Sequence, residues 1–347
     1  MRQTTSTCSR RLHVTRPNNV ALLPKDTNRW LPTCIVGLLM LASIQASACF
    51  NYYVVDENGN GHVHHEHPPR WGSSDFEAAK KELVYYEHEI PLQEEKWKPM
   101  YLSNYSIALA KVGRYSEAQQ ILEQLRRALP DEYRIAANLA VVYELNGELD
   151  QALAMLDRAL KLDPDSHHSS EWIHKQILQG AITLRDSGAD LQSTKILTFP
   201  ADQESIHSIP HHVVYQLQER VPLTTSPNQY FSKVLEEIAD YYRVTISLEW
   251  AMELYSGALG YSADTTVNER LWSKLETAQA KLAVYHGKIP KKTRDVLRDF
   301  SKPDWKDKVD QRIARLRSRK PEKYMGQVRT DFTPPKPEER TPAANWR

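Results

Sequence analysis

Glycine is scarce in this chain, at 12 of 347 residues, and cysteine is scarcer still, at three. The first excludes a collagen-like repeat and the second a disulfide-dense scaffold. Long apolar runs are nearly missing too. Only one stretch is both uncharged and hydrophobic, and the mean hydropathy is −0.59, which excludes a polytopic membrane protein. Net charge is almost nil, with 45 Lys and Arg against 44 Asp and Glu. What is left is an ordinary composition, 41% apolar and 26% charged, long enough for one large domain or two smaller ones with a sizeable core.

Catalytic signatures are missing as well. The chain holds no nucleophile elbow, Walker loop, dinucleotide fingerprint, H-E-x-x-H or C-x-x-C. Outside one His-rich tract two pairs of histidines stand out, His167-His168 and His211-His212, with His174 and His207 nearby. Neighbouring histidines on a helix point to different faces, so each pair offers at most one ligand. His174 follows Trp172 on a predicted helix and reads as a packing or surface residue, while Glu148 and Asp150 read as helix-start acids favoured by the macrodipole. No nucleophile–base–oxyanion set assembles, so the expectation is a non-enzymatic protein without a cofactor of its own.

The neutral average conceals a strong asymmetry. Residues 1–30 carry six basic side chains against Asp26 alone, a net of +5. Residues 287–347 carry 18 basic and 9 acidic side chains, a net of +9, which leaves −13 for residues 31–286. An acidic body therefore lies between two basic ends.

The one apolar stretch, LPTCIVGLLMLASIQASA at 31–48, is dense only from Ile35 to Ile44. That length suits a signal-peptide core better than a bilayer span, and Ala46-Ser47-Ala48 supplies the small side chains a signal peptidase requires. A single uncleaved helix is the alternative. Cleavage would remove Cys8 and Cys34 and leave Cys49 alone, directly behind Ala48. Ala46-Ser47-Ala48-Cys49 resembles a bacterial lipobox, departing from it at Ala46, where leucine is usual. Lipidation of Cys49 and simple secretion both stay open. The expected location is the periplasm or cell envelope, with membrane association.

Residues 49–73, containing Asp56-Glu57-Asn58-Gly59-Asn60-Gly61 and His62, His64, His65 and His67, read as a linker broken by glycine and proline. The D-x-N-x-N-G run imitates the first half of a calcium loop, but its twelfth position is His67 rather than Glu. The four histidines could take up zinc, copper or nickel adventitiously, which makes a metal-buffering protein the alternative function.

Residues 74–286 are predicted to be helical. Ser74-Asp75-Phe76-Glu77 is a capping box, followed by Phe76, Ala79, Leu83 and Val84 at helical spacing. A 34-residue period then appears: Gly113 and Gly147, Ala118 and Ala152, Leu122 and Leu156, Pro130 and Pro164. Each matched type has a job. The glycine takes a left-handed turn, the alanines allow close helix contact, the leucine fills the space between helices, and the proline ends the second helix. This pattern resembles the tetratricopeptide repeat, a pair of antiparallel helices that stacks on its neighbours. The resemblance implies an all-α superhelix, with units at 99–132 and 133–166 and a further unit at 232–265. That last unit matches at Leu235, Ile238, Ala239, Tyr242, Ala251 and Ala258 but has Ile246 in place of the turn glycine. Residues 167–231 hold two helices, near Trp172–Ala181 and His211–Val221, separated by Pro200 and Pro210, as a degenerate unit with an insertion would. A helix from Val267 to Tyr285 is placed to cap the stack.

The same resemblance implies a non-enzymatic scaffold that binds a peptide or helix of another protein on its concave face. In register, that face holds Ser103, Ile107 and Lys111, then Asn138, Val141 and Leu145, then Glu236, Asp240 and Arg243. Members of the family that bind chaperone tails use a carboxylate clamp of Lys and Asn. Asn138 matches one clamp position, but Ser103 and Ile107 stand where Lys and Asn are needed, so an acidic C-terminal peptide is not the expected ligand. The basic tail, 287–347, keeps one amphipathic stripe, Trp305, Val309, Ile313 and Leu316. It is expected to pack on the acidic body or dock on a partner, with anionic lipid the alternative. No nucleic-acid partner is expected, because no base-reading module is visible.

Overall fold

The computed structural model describes residues 52–55, 57–58, 61–64, 76–89, 98–201, 203–286, 300 and 302–318. The export segment 31–48, Cys49, Ser74 and Asp75 of the capping box, His65, His67 and the Pro-rich stretch 333–347 lie outside them. Among the described residues no helix is long and apolar enough to cross a membrane.

The expected linker is the first departure from the sequence reading. Strands β1 (Tyr52–Val55) and β2 (Gly61–His64) pair antiparallel, Tyr52 opposite His64 and Val55 opposite Gly61. Tyr-Tyr-Val-Val has strong strand preference, and an Asn- and Gly-rich run of the kind hairpin turns take follows it.

Helix α1 (Phe76–Val84) runs into a single π-helical turn, Tyr85–Glu89. Two helix pairs follow at the expected period: α2 (Lys98–Lys111) with α3 (Tyr115–Ala128), and α4 (Tyr133–Leu145) with α5 (Leu149–Leu162). The turn between partners is built twice from equivalent atoms. Gly113 and Gly147 have φ +80 and +79, a conformation that costs a residue with a Cβ. Arg114 N–H donates to Leu109 O at 2.9 Å, and Glu148 N–H to Tyr143 O at 2.8 Å, 34 residues further on. Ala118, Leu122, Ala152 and Leu156 are all fully buried, as their places in the pattern require.

The intervening region forms α6 (Glu171–Ser187), a turn at 191–193 followed by an irregular segment to residue 201, and α7 (Gln203–Arg220), which continues into a 3-10 turn at Val221–Leu223. Pro210, expected as a break, lies inside α7. The stripe of Ile209, Val213 and Leu217 is buried across it. Burying these three side chains, at about 1.5–3 kcal/mol each, outweighs the roughly 3 kcal/mol that an interior proline costs.

The third predicted unit is α8 (Gln229–Thr245) with α9 (Leu248–Tyr261). Here the backbone turns without left-handed geometry: Ile246 has φ −120, so no glycine is needed. Ser247 caps α9 by accepting from the Trp250 N–H at 3.1 Å. Helix α10 (Thr265–His286) then repeats the register of α8, for Glu236 pairs with Arg270 and Asp240 with Lys274, 34 residues on in each case.

Helix α11 (Trp305–Ser318) packs on α9 with all four stripe residues buried. The approach is close, since a Cβ at Gly260 would lie 2.4 Å from Leu316 Cδ1. Charge assists it: Arg312 pairs with Glu253 at 2.7 Å, and Lys306 with Glu276 at 2.6 Å. Part of the basic tail thus neutralises the acidic body. Two apolar cores result, one under α1–α5 and one under α6–α11. Helix α6 serves both, giving Leu178 to the first and Ile173 and Ile177 to the second.

Candidate functional site

The concave side of the first two units is open. A cavity of about 560 Å³ lies there, walled by α2, α4 and α6 and closed on one side by the end of α7 and its 3-10 turn. Five of the nine predicted groove residues line it: Ile107, Lys111, Asn138, Val141 and Leu145. Asn138 is held in place by donating its Nδ2 to Ser103 Oγ at 3.0 Å, which leaves Ser103 buried beneath the groove wall. Lys111 is paired with Glu82 at 2.9 Å.

Glu236, Asp240 and Arg243 do not join this cavity. Helix α10 supplies cations to the first two, with Arg270 and Lys274 each within 2.7 Å of the buried Glu236 and Lys274 also 2.7 Å from Asp240, which stays 41% exposed. Tyr255 OH donates to Asp240 at 2.6 Å. Arg243 is paired with Glu57 in the turn of the β-hairpin. The third unit's share of the predicted groove is therefore taken up by the chain itself.

The cavity's far wall is fixed by a buried ionic cluster that the sequence reading did not find. Glu144, on α4, accepts from Arg220 Nη1 at 2.5 Å and from His174 Nε2 at 2.8 Å. His174 Nδ1 lies 3.1 Å from Glu171, which also accepts from His167. Burial works against every charge here, but the partners prevail. It tends to raise Glu144, yet Arg220 and His174 hold that carboxyl far below the usual carboxylate range. Burial likewise raises Glu171, which His167 and His174 pull down to about 2. Burial lowers His174, but Glu144 and Glu171 raise it above its ordinary value. Both His174 nitrogens face carboxylates, the arrangement a doubly protonated ring satisfies. The reading of His174 as a packing or surface residue is thus corrected: it is a buried charge tying α6 to α4. No local motif marks this, since Glu144 and Arg220 are 30 and 46 residues away from it.

The cluster sets a pH dependence. Depressed glutamates stabilise fully above 4.5 and lose that contribution as pH falls through their folded values. Raised histidines stabilise fully below 6.5 and lose it as pH climbs through theirs. The gap in melting temperature between the wild-type chain and His174→Gln should be widest between those limits and shrink toward both acid and alkaline pH. A gap that widens with rising pH would contradict this assignment.

A second region shows the stack already holding a non-helical segment of its own chain. Glu237 accepts from the N–H groups of Ile196 at 3.0 Å and Leu197 at 2.7 Å. The Gln176 amide brackets Thr198, accepting from its N–H at 2.6 Å and donating to its carbonyl at 3.1 Å. Phe199 stacks on Tyr241 with ring centres 4.2 Å apart. The main chain of residues 196–198 thus lies between α6 and α8, held by side-chain amide and carboxylate groups.

For metal binding, no group of three or more His, Cys, Asp or Glu side chains gathers to hold an ion among the described residues. His62 and His64 lie on β2, while His65 and His67 are outside the described residues.

Residues 109–170, from the end of α2 through α5 to the turn before α6, match the tetratricopeptide repeat family model. This part of the chain is built of tetratricopeptide repeats. No curated protein and no solved structure matches it. The matched stretch carries the left-handed turns at Gly113 and Gly147 and one of the cavity's walls, α4, together with Lys111 at the end of α2. Tetratricopeptide repeats generally mediate protein–protein interaction, and the family is typically a non-enzymatic scaffold.

Proposed function

We propose that this protein is a scaffold that captures an extended or helical segment of another protein in the cavity between α2, α4 and α6. The observation that carries this reading is the cavity itself, which brings Ile107, Val141 and Leu145 together with the polar Asn138 and Lys111 and the charged Glu144 and Arg220. Such a surface suits a segment that buries a few apolar side chains and presents its backbone to an amide. The chain's own residues 196–198, gripped by Gln176 and Glu237, illustrate the same chemistry one step along the stack.

The protein works outside the cytoplasm in this reading, exported through residues 31–48 and anchored at the membrane by a lipid on Cys49. Metabolic lipid labelling should mark the native chain and spare Cys49→Ala; absence of label on the native chain would remove the anchor. A photo-reactive residue at Val141, used in native cells, should capture a protein partner that the same residue at Leu162, on the exposed side of α5, does not. Equal capture from both positions would count against the cavity as the site.

A further inference from the structure

The hairpin turn occupies a carboxylate site. Arg243, at the end of α8, pairs with the Glu57 carboxylate, and Lys281 of α10 donates to the same oxygen at 3.2 Å. The backbone of the same residue is taken as well. Glu57 N–H donates to the Arg243 carbonyl at 3.0 Å, and Tyr285 OH donates to the Glu57 carbonyl at 3.3 Å. Four contacts from two helices thus converge on one acidic residue, 186 and 224 positions before the cations that hold it. Glu57 is largely shielded from solvent, with its side chain 18% exposed.

The chemistry of this site is unlike that of its neighbours. Along the same face, Arg270 and Lys274 find their carboxylates on the adjoining helix, at Glu236 and Asp240. Arg243 and Lys281 take theirs from a hairpin that is remote in sequence. Two cations and a phenol hydroxyl form a receptor for one carboxylate and its own main chain.

We propose that Arg243, Lys281 and Tyr285 form a recognition site for an internal acidic segment of a partner protein, and that Glu57 is its ligand in cis, shielding the site until displaced. This site is separate from the cavity between α2, α4 and α6 and does not depend on the reading given to that cavity. A tethered competitor acts at high effective concentration, so it lowers the apparent affinity for any ligand in trans. Removing its charge should therefore uncover binding.

The probe is hexaglutamate, blocked at both ends so that no terminal carboxylate takes part, and followed by fluorescence anisotropy against the full chain. Glu57→Gln keeps the size of the turn residue and removes only the charge. It should bind the probe about tenfold more tightly than the wild type. Adding Arg243→Ala and Lys281→Ala should abolish the gain, whereas adding Lys302→Ala and Lys308→Ala, on the basic tail, should leave it intact. The proposal is overturned if Glu57→Gln binds no more tightly than wild type. It is equally overturned if the gain survives loss of Arg243 and Lys281, or vanishes with the tail lysines instead. Matching helical circular dichroism among the variants ties each outcome to the site rather than to unfolding.

Discussion

Replacing Glu144 by alanine is expected to cost about 3–5 kcal/mol of folding stability, read as a lower urea midpoint of the full chain. The carboxylate is the shared partner of the partly buried Arg220 from α7 and of the buried His174 from α6. Removing it leaves the Arg220 guanidinium without its carboxylate and His174 with Glu171 alone. Glu144→Gln should cost less, because the amide oxygen still accepts one hydrogen bond. The loss is also directional. Arg220 is the last residue of α7, and the 3-10 turn that follows forms one wall of the cavity. Freed from α4, residues 216–224 should exchange their amide hydrogens faster than the remainder of α7. A cost no larger than that of an ordinary surface change, within about 0.5 kcal/mol, would show that the cluster does not hold the wall.

Leu156→Ala should cost a further large amount, about 2–5 kcal/mol, by emptying the space where α5 meets α4. Leu156 is fully buried, and its neighbours Ala152 and Ala159 are small because the helix backbones run close there, so little nearby can move in to fill the void. Stability in a stack of repeats is a sum over units and the interfaces between them. A defect at Leu156 should therefore loosen the second unit and its contact with α6 together, lowering the thermal midpoint and flattening the transition. Leu162→Ala, six residues on and exposed, supplies the contrast, with an expected change within about 0.5 kcal/mol. Equal costs at the two positions would mean that α5 is not packed as the repeat requires.

Much of the architecture could be read in the sequence because its determinants are local. The glycines at 113 and 147 announce their turns, since few other residues tolerate φ near +80. The stripe from Trp305 to Leu316 announces a buried helix face by spacing alone. Pro210 misled because proline's local cost is visible in sequence, while the burial of Ile209, Val213 and Leu217 that offsets it is not. The hairpin was missed for the opposite reason: its Asn- and Gly-rich turn also looks like a linker, and pairing between strands is not a local property.

For the candidate site the boundary falls in the same place. Register along the repeat found Ile107, Lys111, Asn138, Val141 and Leu145, because every unit places equivalent residues on the concave side. It could not tell that Glu236 and Asp240 would pair with cations of α10, or Arg243 with Glu57, because those partners arrive from outside the unit. Glu144, Glu171, His174 and Arg220 were beyond reach for the same reason: they meet only once three helices have packed.

Hydrogen exchange of the full chain, alone and with the protein captured from Val141, tests recognition on the concave side most directly. The predicted result is protection of α2 and α4, residues 98–111 and 133–145, with α3 and α5, residues 115–128 and 149–162, unchanged. Protection confined to α3 and α5 would contradict it and place recognition on the opposite face of the stack.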